Sequence, residues 1–416
     1  MVATLLSQPT AMAQEAVWKT YFTEAFKALQ SGDFETSEKM FLSAAEQAKA
    51  FGEGDQRYYK SLDGLALAYA AQKKFAEAEQ TYQKVLSIKE KALGADSAEE
   101  ALSMANFADL LLMEGKYKQA EVMYQTSLKT LNSVSPAVYA EKSQNLGLCL
   151  SEEGLFKQAE EALQNARQKE ISLYGQNSTQ ATQTQINLIR MHVKQGAYAQ
   201  AQKEATASLQ ALDQNAAHDV KDSDACLAAL TQIDRALGHF AKAEAYAKTL
   251  IKHAEDRSEA SSADYPRALE RLADVYEAQH RYAEAEPLLL KAKTILEKQL
   301  PGHPFFADCL VDLAEVYIDQ GKYNDAAPLL QQALSIRKTS LGSEHSDVAE
   351  CLIDIAYIQA QQNNQAEAET TYQRALAMMM KTKVEEEVLR DRSVVQTPII
   401  KENWQGGEVS PLILVP

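Results

Sequence analysis

The chain has 416 residues, 46% of them hydrophobic, and 58 acidic against 42 basic side chains, for a formal net charge of -16. A field of that sign repels phosphates and anionic membrane surfaces, so neither nucleic acid nor a membrane surface is expected as a partner. No run of about 18 apolar residues exists to form a spanning helix, and a chain this long ordinarily splits into two or three domains unless its core grows in one dimension.

At the amino end, Ala11-Met12-Ala13 before Gln14 resembles the small-residue cleavage site of an export signal. The apolar part runs only from Val2 to Leu6, however, and no Lys or Arg precedes it. Residues 1–14 therefore read as a leader, either a plain disordered terminus or the remnant of a clipped signal. The first reading is preferred and places the protein in the cytoplasm; the second makes it exported or periplasmic.

Beyond the leader one interval organises everything. An aromatic or its stand-in returns at Phe34, Phe75, Tyr117, Phe156, Tyr198, Phe240, Tyr282, Tyr323 and Gln365, in steps of 41, 42, 39, 42, 42, 42, 41 and 42 residues. Such a period marks a repeat array, in which each unit buries its apolar face by stacking on its neighbours. Abundant alanine, with prolines between or at the starts of helical runs, makes the composition all-helical and that of a soluble protein.

Each repeat reads as helix, tight turn, helix. Two residues before the marker stand Gly32, Gly115, Gly154, Gly196, Gly238 and Gly321, with Asn363 in the last repeat. Glycine permits the left-handed conformation that ends a helix, and asparagine tolerates it next best. Lys73 and His280 break this rule and are expected to carry strain. Three residues after the marker the side chain is always small, from Ser37 and Ala78 through Ala368, which implies close helix contact. Ten before it is Leu65, Phe107, Leu146, Leu188, Leu230, Leu272, Leu313 or Ile355, often followed by Ala or Gly, a knob beside a hole.

In chain order the departures are few. Repeat 1 has Glu24 where a leucine fits, and repeat 6 has Ala247 at a packing aromatic position, between polar linkers Asp213 to Asp219 and Asp256 to Ala263, so it reads as a softer joint. Pro287 and Pro328 are expected in the first turns of second helices, and Pro136, Pro266 and Pro304 in those of first helices. After repeat 9, Lys381 to Arg392 reads as a charged capping helix, closing an array over 15–392. Residues 393–416 lose all periodicity and read as a flexible tail.

Cys149, Cys226, Cys309 and Cys351 show no metal or redox spacing, and the last three share one register, fourteen residues before the marker. Equivalent positions in stacked repeats lie about 10 Å apart, too far for a disulfide, so buried thiols and a reducing compartment are expected. The seven histidines are scattered, and Gly52-Glu53-Gly54 lacks the context of a phosphate loop. No catalytic residue, metal site or cofactor is read from the sequence.

Gln320-Gly321-Lys322-Tyr323 and Tyr282-Ala283-Glu284-Ala285-Glu286 carry the order of glycine turn, aromatic and Ala-Glu that resembles the tetratricopeptide repeat. The period of about 42 in place of 34 looks like the kinesin light chain subtype. So do the linkers Leu93-Gly94, Leu300-Pro301-Gly302-His303-Pro304 and Leu341-Gly342-Ser343-Glu344-His345. The resemblance covers about residues 15 to 383. It implies an all-α α-solenoid, a right-handed superhelix of about nine helix-turn-helix repeats, whose concave groove holds a peptide or helix of a protein partner.

Eleven residues before the marker, three consecutive repeats place Asn106, Asn145 and Asn187. In the kinesin light chain type, asparagines at this register hydrogen-bond a peptide backbone, since an amide both donates and accepts. Arg190, Lys194 and Arg235 stand at neighbouring concave registers, suited to an acidic ligand residue. Farther on the registers turn acidic, with Glu270, Asp274, Asp312, Glu315, Asp319 and Asp354 relieved by Arg271. A groove polarised in this way would orient a bipolar peptide. The plain alternative is a solvated face in an acidic protein. In the tail, Glu402-Asn403-Trp404 resembles the tryptophan-plus-acidic cargo of that subtype and reads as a pseudo-ligand in cis.

The expected function is a non-catalytic adaptor or scaffold. The alternatives are a structural spacer or self-assembly element with an empty groove, and an exported envelope-assembly factor. Oligomeric state is left open.

Overall fold

The computed structural model describes residues 11–94, 97–214, 220–257, 263–343 and 345–382. The proposed pseudo-ligand, the tail and the capping segment beyond 382 lie outside these residues, as do residues 1–10 of the leader. The chain divides into two compact units, up to Gly196 and from Ala197. The first holds α1 (Ala11–Gln30), α2 (Phe34–Ala48), α3 (Gln56–Ala71), α4 (Phe75–Leu93), α5 (Ala98–Met113), α6 (Tyr117–Val134), α7 (Pro136–Glu152), α8 (Phe156–Tyr174) and α9 (Thr179–Lys194). The second holds α10 (Tyr198–Asp213), α11 (Val220–Ala236), α12 (Phe240–Arg257), α13 (Asp264–Glu277), α14 (Tyr282–Gln299), α15 (Pro304–Asp319), α16 (Tyr323–Leu341), α17 (Ser346–Gln361) and α18 (Gln365–Thr382). Among the described residues the fold is thus an all-α repeat solenoid.

Every second helix begins on its marker residue, which is half-buried as an aromatic and exposed as Gln365. The interval therefore measures where helices start rather than where the core is deepest. The core lies three residues on and ten residues back: Ala78, Ala120, Ala159, Ala243, Ala285 and Ala326 have no exposed surface, and Leu65, Leu272 and Leu313 are buried beside them.

Glycine lets helices approach at two points. A Cβ on Gly64 would lie 2.2 Å from Phe41 Cε1, and one on Gly147 would lie 2.5 Å from Leu163 Cγ. Each hole is filled by a fully buried side chain, worth about 1.5–3 kcal/mol on burial.

The turns between paired helices share one pattern of capping bonds. At the first turn of repeat 3, Lys116 N–H bonds Leu111 O at 2.8 Å and Gly115 N–H bonds Leu112 O at 3.1 Å, the double closure of a helix that ends on a left-handed residue. Lys73, His280 and Asn363 adopt the same conformation, with φ of 59°, 56° and 65°, and make the equivalent bonds. The turn geometry is therefore imposed even where glycine is missing. At the linkers His303 and His345 cap α15 and α17, each Nδ1 accepting from a backbone N–H at 3.2 Å.

Pro287 and Pro328 lie deeper than the first turn, at the sixth residue of α14 and α16. Each therefore removes one intrahelical donor. Pro136 and Pro304 do open their helices, as expected.

Fourteen residues after the marker a second register governs stacking. Leu131, Leu212 and Leu296 fill it in three repeats, but Lys89, Glu170 and Arg337 occupy it in others, all buried. Lys89 Nζ reaches Asp63 Oδ2 at 2.7 Å and Ser103 Oγ at 2.5 Å. Glu170 Oε2 accepts from Thr184 Oγ1 at 2.7 Å. Arg337 holds Asp308 Oδ1 at 2.9 Å, Asp347 O at 2.8 Å and Cys351 Sγ at 3.4 Å. Ser103, Thr184 and Cys351 share the register of Cys226 and Cys309, so that register is the slot facing this one. All four cysteines are buried free thiols.

Candidate functional site

In each unit the first helices touch one another, α1 with α3, α5 with α7 and α7 with α9, then α11 with α13 and α13 with α15. Successive second helices make no comparable contact. First helices are therefore the inner layer of each unit, and their free faces are the inner surface on which a segment can lie.

In the first unit this surface is built around Asp109 of α5. Its Oδ1 accepts from Tyr124 O–H at 2.6 Å and from Asn145 Nδ2 at 2.8 Å, and its Oδ2 accepts from Lys142 Nζ at 2.6 Å. Burial and the Asp109 charge raise the Tyr124 phenol, which stays protonated and donating.

The three asparagines are consequently not equivalent. Asn106 is half-buried on α5, while Asn145 on α7 is half-buried and oriented by Asp109. Asn187 on α9 is buried, at 3% exposure, and presents no amide to a ligand. Arg190 is exposed on α9, and exposed Lys194 pairs with Glu152 Oε2 at 2.6 Å.

In the second unit the inner face is acidic and crowded. Thr231, Gln232 and Arg235 of α11 with Arg271 and Asp274 of α13 line a cavity of about 210 Å³. Burial raises the Asp274 carboxyl, opposed by Arg235 and Arg271. Asp312 on α15 is pushed well above the usual range by burial and then by Asp274, Glu270, Glu315 and Asp308. Glu277 rises to about 8 through burial and the charges of Glu315, Asp274 and Asp319. Glu270 also rises to about 8, mainly through burial.

The structure brings Arg235, which the sequence assigns to the basic half of the groove, into one neighbourhood with Asp274 and Asp312 of the acidic half. Asp354 stands apart, buried on α17 at 5% exposure, and is no surface group. The sequence reading missed Asp109, Lys142 and Glu277. Asp109 and Glu277 sit three residues beyond Asn106 and Asp274, one turn along the same helix face, which is the signal that would have found them.

Helix pairs closed by left-handed turns and stacked by small-residue contacts define a helical-repeat binding scaffold. A tetratricopeptide repeat family profile matches residues 25–91, 57–133, 264–339 and 310–381, together more than half of the chain, and the protein belongs to the tetratricopeptide repeat family. No curated protein matches the sequence.

Several solved structures share the fold. A Rap protein complexed with Competence and Sporulation Factor is 14% identical with a TM-score of 0.53, over 89% of this chain and 99% of that one. The quorum sensor NprR from B. thuringiensis in its apo form is 16% identical with a TM-score of 0.52, over 88% and 99%. NprR in complex with its cognate peptide NprX is 14% identical with a TM-score of 0.52, over 91% and 94%. At such identities the likeness shows the fold alone. Among the described residues no helix is long and apolar enough to cross a membrane.

Proposed function

We propose that the protein is a non-catalytic adaptor that holds a peptide or helical segment of a protein partner on the inner face of its helix array. The observation that carries this is the second unit's inner face, where α13 and α15 crowd carboxyl groups whose mutual repulsion nothing in the core requires. Perturbed groups gathered in a cleft are the usual mark of a binding surface. The fold neighbours lend support: NprR holds its cognate peptide NprX, and a Rap protein is complexed with Competence and Sporulation Factor. The contact surface comprises Asn106, Asn145 and Arg190 in the first unit and Arg235, Asp274 and Asp312 in the second. The period of about 42 supports the kinesin light chain subtype, and the four buried free thiols suit a reducing compartment such as the cytoplasm.

A spacer or self-assembly element is the second reading, favoured by Asn145 and Lys194 being held internally by Asp109 and Glu152. Selection of a random dodecapeptide library on the full chain separates the two. Peptides binding at micromolar affinity, and weakened by Asn106→Ala, Arg235→Gln or Asp312→Asn, support the adaptor. Failure to select any peptide supports the spacer.

A further inference from the structure

A cavity of about 520 Å³ lies where the last turns of α10 and α12 meet the first turns of α11. Leu209, Val220 and Leu227 give it an apolar wall, and Ser223, Thr249 and His253 bring polar groups to it. Two second helices contribute to its lining, which sets it apart from the inner face that the first helices form.

Comparison along the repeat shows what is missing there. Four of the nine repeats place an aromatic ring seventeen residues before the marker: Tyr58, Tyr139, Tyr265 and Phe306. Where that ring is a tyrosine, the second helix of the same repeat attends it. Lys84 Nζ donates to the Tyr58 hydroxyl at 2.8 Å and Lys291 Nζ donates likewise to Tyr265, both from nine residues after the marker. Lys169, thirteen residues after the marker, has its Nζ 5.8 Å from the centre of the Tyr139 ring. In repeat 6 these three positions are Ser223, Thr249 and His253, and all three line the cavity. The cavity thus occupies the place of a tyrosine ring that other repeats supply from their own chain.

A separate observation points to a ligand. Ser223 is 3% exposed, yet its Oγ has no hydrogen-bond partner, and a buried hydroxyl left unpaired is costly. His253, by contrast, is held in place. Its Nδ1 lies 2.6 Å from Asp224 Oδ1, and Arg257 holds the other oxygen of that carboxylate at 2.5 Å. The volume falls within the roughly 300–1,000 Å³ of small-molecule sites.

From these observations we infer that the cavity between α10, α11 and α12 binds a phenolic ring, its face against Leu209 and Leu227 and its hydroxyl between Ser223 and Thr249. A phenol hydroxyl both donates and accepts, as do the two hydroxyls that receive it. Burial of the ring against the leucines supplies the apolar part of the binding energy. The site is independent of the peptide-binding reading of the inner face.

The test titrates the full-length protein into 4-fluorophenol and follows binding by fluorine NMR. The expected outcome is saturable binding in the millimolar range or tighter. Fluorobenzene, which lacks the hydroxyl, should bind about two- to tenfold more weakly. The double variant Ser223→Tyr with Thr249→Lys rebuilds the pairing of Tyr58 with Lys84 inside the cavity, so it should abolish binding and raise the melting temperature read by circular dichroism. Ser223→Ala keeps the cavity and should bind fluorobenzene as before while losing the preference for the phenol, which decides the matter even where the double variant does not fold. Competition by N-acetyltyrosine amide as strong as by p-cresol identifies a tyrosine of a partner chain as the source of the ring; competition by p-cresol alone identifies a small molecule, and either supports the site. Absence of saturable binding, binding that survives in the folded double variant, or equal affinity for 4-fluorophenol and fluorobenzene overturns it.

Discussion

Replacing Lys73 by glycine should stabilise the first unit, although it removes a side chain and adds none. Lys73 sits at φ 59° and makes the capping bonds that glycine makes in most other repeats, with its N–H 2.9 Å from Ala70 O. A left-handed conformation costs a residue bearing Cβ about 1–2 kcal/mol. Glycine loses more freedom on folding, which returns about 0.4–1 kcal/mol of that gain. The difference is a net stabilisation of about 0.5–1 kcal/mol, or a midpoint about 1–4 °C higher for a unit of this size. Gly321→Ala is the mirror experiment. Gly321 has φ 72°, and a Cβ placed there meets no atom within 4 Å, so the loss is conformational alone and of similar size. Thermal unfolding followed by far-ultraviolet circular dichroism reads both. A lower midpoint for Lys73→Gly, or an unchanged one for Gly321→Ala, would show that backbone conformation is not what selects glycine at this register.

Two further outcomes follow from the packing and the charges. Gly64→Ala should destabilise by about 1–3 kcal/mol, against the usual gain from alanine in a helix, because its methyl lands 2.2 Å from a Phe41 ring with nowhere to go; a higher melting temperature would contradict the contact. Glu270 and Glu277 have folded pKa values near 8, above the unfolded value of 4.5, so the native state binds more protons across that window. Stability of the second unit should therefore fall as pH rises from about 4.5 to 8 and level off above. Glu270→Gln should stabilise at pH 8.5 and not at pH 4.5 in urea unfolding; an equal effect at both would refute the assignment.

Much of the fold was legible because a repeat states each structural requirement many times. The small residue after the marker, the large residue before it and the left-handed turn recur often enough that the turn could be assigned by position at Asn363, and at Lys73 and His280 against their own propensities. Pro287 and Pro328 were misplaced because proline was read by its general preference for a first turn, while helix starts are set by the marker.

The site was less legible because register gives direction but not depth. Asn106, Asn145 and Asn187 share one register, yet one is half-buried, one is held by Asp109 and one is covered. Burial of that kind depends on neighbouring helices, which a single period cannot report. The acidic face was visible as a list of residues, but its consequence was not. Only the packing of α13 against α15 turns scattered carboxyls into a group whose members oppose one another's ionisation.

A chain assembled from similar segments runs the risk that a helix docks on the wrong neighbour while folding. The buried Lys89, Glu170 and Arg337 act against this as addresses. Lys89 is satisfied by Asp63 and Ser103, Glu170 by Thr184, and Arg337 by Asp308 and Asp347. A leucine in the same slot would accept almost any partner, whereas a misdocked Lys89 or Arg337 would bury an uncompensated charge. The order of the repeats is thus written into their interfaces. Segments could be exchanged across the leucine junctions with little penalty, but not across the charged ones.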